Sequence, residues 1–542
     1  MSMKPKWLLI SVFVCGLFSG SSAQEWSRIY FPTKSTVVSS VFETYDRGYV
    51  LGGDFESGGI PARGLILRTD INGYALWYKT VSENNDFTSI WDINATSDNG
   101  LILTGVTGEQ TNNLNPFIMK LNACADPEWC RIYNLPNVNP EWGQSIWQMP
   151  GGYIALFYAY GQNSSNERIW LYRLKENGDL LWTQLYTQSD TSIKYAEGVH
   201  LHVTHDLHFI ISGDCYYPDP NVSYPLKLRP LIIKVDSTGG LQWELPWSLL
   251  NGENFYGQSY CSATDNQGTT YSASRHIVKT GPAAGDKPCM IKTDYSGNES
   301  DFIDLFPNSK MGSTSTISWF EDSTLAIGYF STDTITPSLD GTVGVVRCTR
   351  NGYIILDKPI IINSYLFSDA VTSFDNKLLL VGSFPEGINW ITHSYKLNCN
   401  LEFDSIYTHP RVYDSLCPYP IPSDTIPLNC LLVGREELAG EEENSKLAVY
   451  PNPAAGTVHI VIPDQLKTVK QASVFTVTTW RARWEKTELE VYDLFGRRVY
   501  SKALPFGEKS VTLDVSAWKT GMYLIRLVYN GSTVAGGRLV RQ

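Results

Sequence analysis

Apolar and β-branched residues between Ser39 and Thr80 fall into four short runs separated by turn-forming residues. Ser39–Thr44, Tyr49–Gly53, Gly64–Thr69 and Ala75–Thr80 each have strand length, which predicts a four-stranded meander. Tyr45–Gly48 and Asp70–Gly73 are tight turns whose residues accept left-handed backbone, whereas Asp54–Arg63 is a longer loop. The strand–turn–strand half returns at Thr88–Gly105, Gln144–Leu156, Glu197–Gly213, Gln258–Ser274, Ser315–Phe330 and Asp369–Phe384. The second half returns at Ile169–Tyr186, Leu231–Trp243, Cys289–Ser300, Val345–Leu356 and His393–Tyr407. One copy, Phe117–Tyr133, keeps Lys120, Leu121, Trp129 and Tyr133 but replaces the glycine turn with Ala123–Pro127.

Seven copies at a period of roughly 50–60 residues predict an all-β, seven-bladed β-propeller over residues 24–407. Glu25–Tyr30 is a spare strand, expected to complete the last blade and close the ring. In such a meander the tight turns gather on one face and the variable loops on the other. The variable face carries Tyr158, Tyr160, Tyr216, Tyr217 and Tyr224, a composition suited to sugar or protein contacts and the expected ligand-binding residues. His200 and His202 lie two apart on a strand near the central channel, the spacing of a two-histidine zinc pair. The competing reading is of polar strand positions filled by histidine. Loop aspartates such as Asp333 and Asp340 are calcium candidates, against the plainer reading of solvated loop residues.

Catalytic motifs are scarce. Neither G-x-S-x-G nor H-E-x-x-H occurs, and no catalytic residue is assigned. The D-x-x-G-x-x-x-W unit, as in Asp70–Trp77, resembles the repeat of quinone-dependent propeller dehydrogenases, but the adjacent cysteine pair of many of those enzymes is absent. Blade packing accounts for the tryptophan without a quinone.

Residues 1–23 have the form of a secretory leader: Lys4 and Lys6, then apolar Trp7–Phe18, then a small-residue site cut between Ala23 and Gln24. No later stretch is apolar enough for a transmembrane helix. Loss of Lys4 and Lys6 takes the formal charge from −12 to −14, which disfavours nucleic acid. Export permits disulfides, and nine cysteines remain after the leader. Cys124 with Cys130, and Cys417 with Cys430, are the expected pairs, and Cys215 with Cys261 a weaker one.

Residues 408–445, proline-rich and then acidic, read as a linker, and residues 446–542 as a small β-sandwich. Here Tyr450-Pro451-Asn452-Pro453, Val491–Val499 with Gly496, and Trp518-x-x-Gly521-x-Tyr523 resemble a type A sorting domain of the type IX secretion system of Bacteroidetes. Val469–Glu485 is an insertion relative to that pattern. The resemblance implies export across both membranes, with the type IX machinery as partner and a secreted or outer-membrane-surface location. The passenger is then expected to bind glycan or protein ligands. A hydrolase at the channel mouth and a surface-layer component are the alternatives.

Overall fold

The computed structural model describes residues 25–433, 447–462 and 487–542, apart from segments 58–59, 83–85, 110–112, 134–137, 162–167, 187–194, 217–227, 247–248, 251–252, 279–284, 299, 307–310, 322, 333–340, 363–366, 494–496, 505–507 and 530–531. Among these residues every regular element is a strand. Blade 1 is Ser35–Glu43, Tyr49–Ser57, Ile60–Thr69 and Ala75–Ser82, paired antiparallel in order. Six further blades follow, and their inner strands are Phe87–Ala95, Val138–Met149, Tyr195–Val203, Gly257–Thr264, Met311–Trp319 and Asp369–Thr372. Blade 7 supplies only three strands of its own. Ser27–Tyr30 is its fourth, pairing antiparallel with Asn389–Leu397, so the N-terminal segment closes the ring as expected.

The repeated tryptophan docks one blade on the next. Trp26 Nε1 donates to Ile71 O at 2.9 Å, Trp129 Nε1 to Glu176 O at 3.0 Å and Trp243 Nε1 to Tyr295 O at 3.0 Å. The turn glycine lets the indole approach. A Cβ on Gly73, which has φ +76°, would lie 2.6 Å from the Trp26 ring. The atypical blade 2 keeps the same turn with Ala125 at φ 58° in the glycine position. A second repeated feature is a buried base on the third strand that reaches the first tight turn: Arg68 to Asp46, Lys120 to Asp98 and Lys396 to Asp375.

Residues 408–433 are not a free linker. Asp424–Pro427 adds in parallel to the outer strand of blade 1, and Leu431–Val433 to Pro127–Tyr133 of blade 2. Ile426 and Leu428 bury in the core shared by these blades. Asp414 accepts from Trp77 Nε1 at 2.9 Å and from Arg68 Nε at 3.2 Å. The strap is sewn down by Cys124–Cys417 and Cys130–Cys430, which corrects the expected Cys124–Cys130 and Cys417–Cys430 pairs. The four cysteines are those expected, but the partners lie across the strap rather than along the chain. Cys215 and Cys261 carry free thiols.

The C-terminal unit has a three-stranded sheet (Ala448–Tyr450, Thr457–Val461, Ser510–Asp514) and a four-stranded one (Thr487–Asp493, Arg498–Ala503, Gly521–Tyr529, Ser532–Arg541). They enclose Val458, Ile460, Leu489, Leu513, Ile525 and Leu539. Tyr450-Pro451 and Asn452-Pro453 are cis, and Asn452 clips onto the last strand through Arg538 O at 2.7 Å and Val540 N at 2.8 Å. Trp518 packs 4.9 Å from Tyr523, just beyond Gly521 in the turn-to-strand step. Gly496 and the insertion lie outside the described residues.

Candidate functional site

The inner strands surround a central channel of about 990 Å³. Six of them carry a bulge at the same place, for example between Ile90 and Asp92 and between Gly198 and His200. In blades 1, 2 and 4 a glycine faces the bulge, while blades 3 and 6 carry Phe157 and Tyr329 there. A Cβ on Gly105 would sit 1.9 Å from Ser89 O, and one on Gly213 1.8 Å from Glu197 O. The bulged residue of each strand lines the channel: Ser39, Trp91, Gln144, Val199, Tyr260 and Ser315, with Ser368 at the corresponding step of blade 7.

In blades 2, 4 and 7 the next residue ties its blade to the following one. Asp92 Oδ2 accepts from Ile146 N and Ser145 Oγ, both at 2.8 Å, and Asp369 Oδ2 accepts from Val41 N at 2.8 Å. His200 holds the same position and accepts from Ser262 N through Nδ1 at 3.5 Å. His202 Nε2 lies 3.0 Å from Thr264 Oγ1 on the next blade. Both histidines do line the channel. Burial pushes His200 down to about 3 and His202 to about 4, so both rings are neutral near pH 7. Among the described residues no group of three or more His, Cys, Asp and Glu is gathered as a metal centre would need. His200 Nδ1 and His202 Nε2 thus each reach the next blade.

Burial also raises the channel carboxyls: Asp54 to about 7, Asp369 to about 7 with Asp92 adding repulsion, and Asp92 itself upward. Asp54 is held by Ser89 and the Ile90 amide of blade 2. These three carboxyls therefore all grip the adjacent blade.

The variable-loop end of the channel holds two clusters. On blades 2 and 3, Trp91 and Trp142 stack at 5.5 Å with an interplanar angle of 16°. Both are half-buried, and Tyr158 packs against Trp142 at 6.0 Å. On blades 4 and 5, Gln258 Nε2 donates to Asp214 Oδ2 at 2.6 Å, and Tyr260 OH to Gln258 Oε1 at 3.0 Å. Arg275 binds Gln258 and, at 2.9 Å, Asp286. Glu197 lies directly across the strand pair from Asp214, whose carboxyl burial pushes up to about 6.

The tyrosines expected on the loops fare differently. Tyr158 lies inside the strand Gly152–Gly161 and is fully buried, because that strand runs past the predicted loop start; it is a support and not a contact residue. Tyr160 belongs to the same strand. Tyr216 ends Phe209–Tyr216 and is half-buried, while Tyr217 and Tyr224 lie outside the described residues. Trp91, Trp142 and Tyr260 were not singled out by the sequence reading. For Trp91 the signal was Gly105 opposite the bulge; Ser274 faces the bulge at Tyr260, and Trp142 pairs in register with Tyr158.

Residues 448–540 match the family described as secretion system C-terminal sorting domain. No curated protein matches the chain. Among solved structures, an ulvan lyase of polysaccharide lyase family PL25 is 9% identical over 68% of this chain and 95% of that one, with a TM-score of 0.42. The β-propeller domain of the Trilobed protease from Pyrococcus furiosus is 8% identical over 69% and 96%, with a TM-score of 0.36. A protein of unknown function from Bacteroides caccae is 10% identical over 48% and 78%, with a TM-score of 0.29.

Proposed function

We propose that this chain, whose C-terminal domain is a type IX sorting domain and directs it to secretion or the outer-membrane surface, is a glycan-binding propeller. The reading is carried by the Trp91–Trp142 stack at the channel mouth. A flat, half-buried indole pair beside polar groups is the arrangement that takes a sugar ring, apolar face on the indole and hydroxyls on the polar side. The deeper carboxylates support binding over hydrolysis, because Asp92 and Asp369 are occupied by backbone amides of the next blade. The expected outcome on a glycan array is saturable binding by the full chain. Trp91→Ala should weaken it by about 2 kcal/mol with the melting temperature held within a few degrees. Retention of full affinity in that variant sinks the proposal.

One observation favours a second reading, glycoside hydrolysis. Glu197 and Asp214 are cross-strand neighbours, and the raised Asp214 carboxyl has the character of a general acid. Release of reducing ends from a bound glycan, lost in Glu197→Gln, would establish it.

A further inference from the structure

We infer that the channel mouth selects glycans that carry no negative charge. The inference rests on the glycan reading and adds the chemical class of ligand. Five carboxyl side chains line the channel: Glu43, Asp54, Asp92, Glu197 and Asp369. Among the described lining residues there is no lysine or arginine. The two histidines among them are held neutral by burial and offset nothing. Arg275, at the blade 5 rim, is already bound to Asp286 and Gln258.

Above pH 7, where Asp54 and Asp369 give up their protons, a uronate or sulfate entering this concave space meets like charge, with no lysine or arginine among the described lining residues to receive it. In a cavity walled by protein that repulsion is screened less than on an open surface. A neutral sugar meets the opposite situation. Ser39, Gln144 and Ser368 place polar side chains on the channel wall. They offer hydroxyls and an amide to a ligand rich in hydroxyl groups. An amino sugar fits the same lining, since its ammonium is drawn to the carboxylates.

The test is a glycan array of the full chain, followed by calorimetry on matched oligosaccharides: a neutral member, its amine-bearing form and a uronic-acid or sulfated member of equal length. The expected bound set is neutral or amine-bearing, with the anionic member at least about tenfold weaker at pH 8 and low salt, where Asp54 and Asp369 are ionised. The double variant Asp54→Asn/Glu197→Gln, checked for an unchanged circular dichroism spectrum, should shrink that ratio at least about threefold. Preference for the anionic member overturns the inference and leaves glycan binding intact. An unchanged ratio in the double variant overturns it too, by removing charge as the cause. Failure of the chain to bind any glycan on the array overturns the glycan reading itself, and the charge selection with it.

Discussion

Asp369 shows how one residue carries both architecture and a pH dependence. Its carboxyl spans blade 7 to blade 1 by accepting the Val41 amide at 2.8 Å, so it lies at the joint where the ring closes. Burial, with Asp92 beside it, raises its pKa to about 7. The folded chain therefore holds this proton more tightly than the unfolded chain, whose aspartates titrate near about 3.9. Stability from this group is present in full below that unfolded value and is lost as pH rises towards 7. Asp369→Asn keeps an acceptor oxygen and removes the ionisation. Urea unfolding at pH 5 and pH 8 should show the parent losing about 1–3 kcal/mol more than the variant across that interval. Equal slopes would remove Asp369 from the pH response. Asp54, raised in the same direction, keeps part of the dependence in the variant.

At the scale of elements, the ring is closed twice. Ser27–Tyr30 completes blade 7 without a covalent bond, and Trp26 then docks on blade 1 as other tryptophans dock between successive blades. The strap crosses the same joint from the other chain end. Tyr407 exchanges hydrogen bonds with Asn72 at 2.8 and 2.9 Å, Asp414 takes Trp77 and Arg68, and both disulfides fasten the strap to blade 2. The bonds close loops of 293 and 300 residues, so each restricts the unfolded chain strongly. Cys417→Ser and Cys430→Ser should each cost about 2–4 kcal/mol, read by thermal or denaturant unfolding. Peptide mapping without reductant should recover Cys124 joined to Cys417 and Cys130 joined to Cys430. A peptide joining Cys124 to Cys130 would refute the strap arrangement.

At the scale of the whole molecule, two units with different tasks share one chain. The propeller presents the channel, and the unit at 448–540 provides the address for export. A chain ending at Glu443 retains the strap and both disulfides and lacks the sorting domain. Expressed in a host with type IX secretion, it should accumulate inside the outer membrane while the full chain reaches the surface or medium. Surface appearance of the shortened chain, measured by protease shaving of intact cells, would overturn the assignment of residues 448–540 as the export signal.

The repeat was legible in the sequence because each blade is a local object. Strand length, turn residues and the recurring tryptophan all lie within one period, and the spare strand Glu25–Tyr30 announced the ring closure. The motifs around Tyr450–Pro453 and Trp518–Tyr523 were legible for the same reason. What only the tertiary structure decided are the relations between segments far apart in the chain. The strap reads as a linker because its prolines and acidic residues dominate its composition, whereas its few apolar residues find partners some 300 residues away. Disulfide partners follow that path and not the cysteine spacing. The channel-facing residues depend on a one-residue bulge in each inner strand, and a shift of one residue reverses which side chains face the core. That is why Trp91, the bulged residue of its strand, lines the channel; Tyr158 is buried because its own strand runs on past the expected loop start, although composition alone favoured the tyrosine.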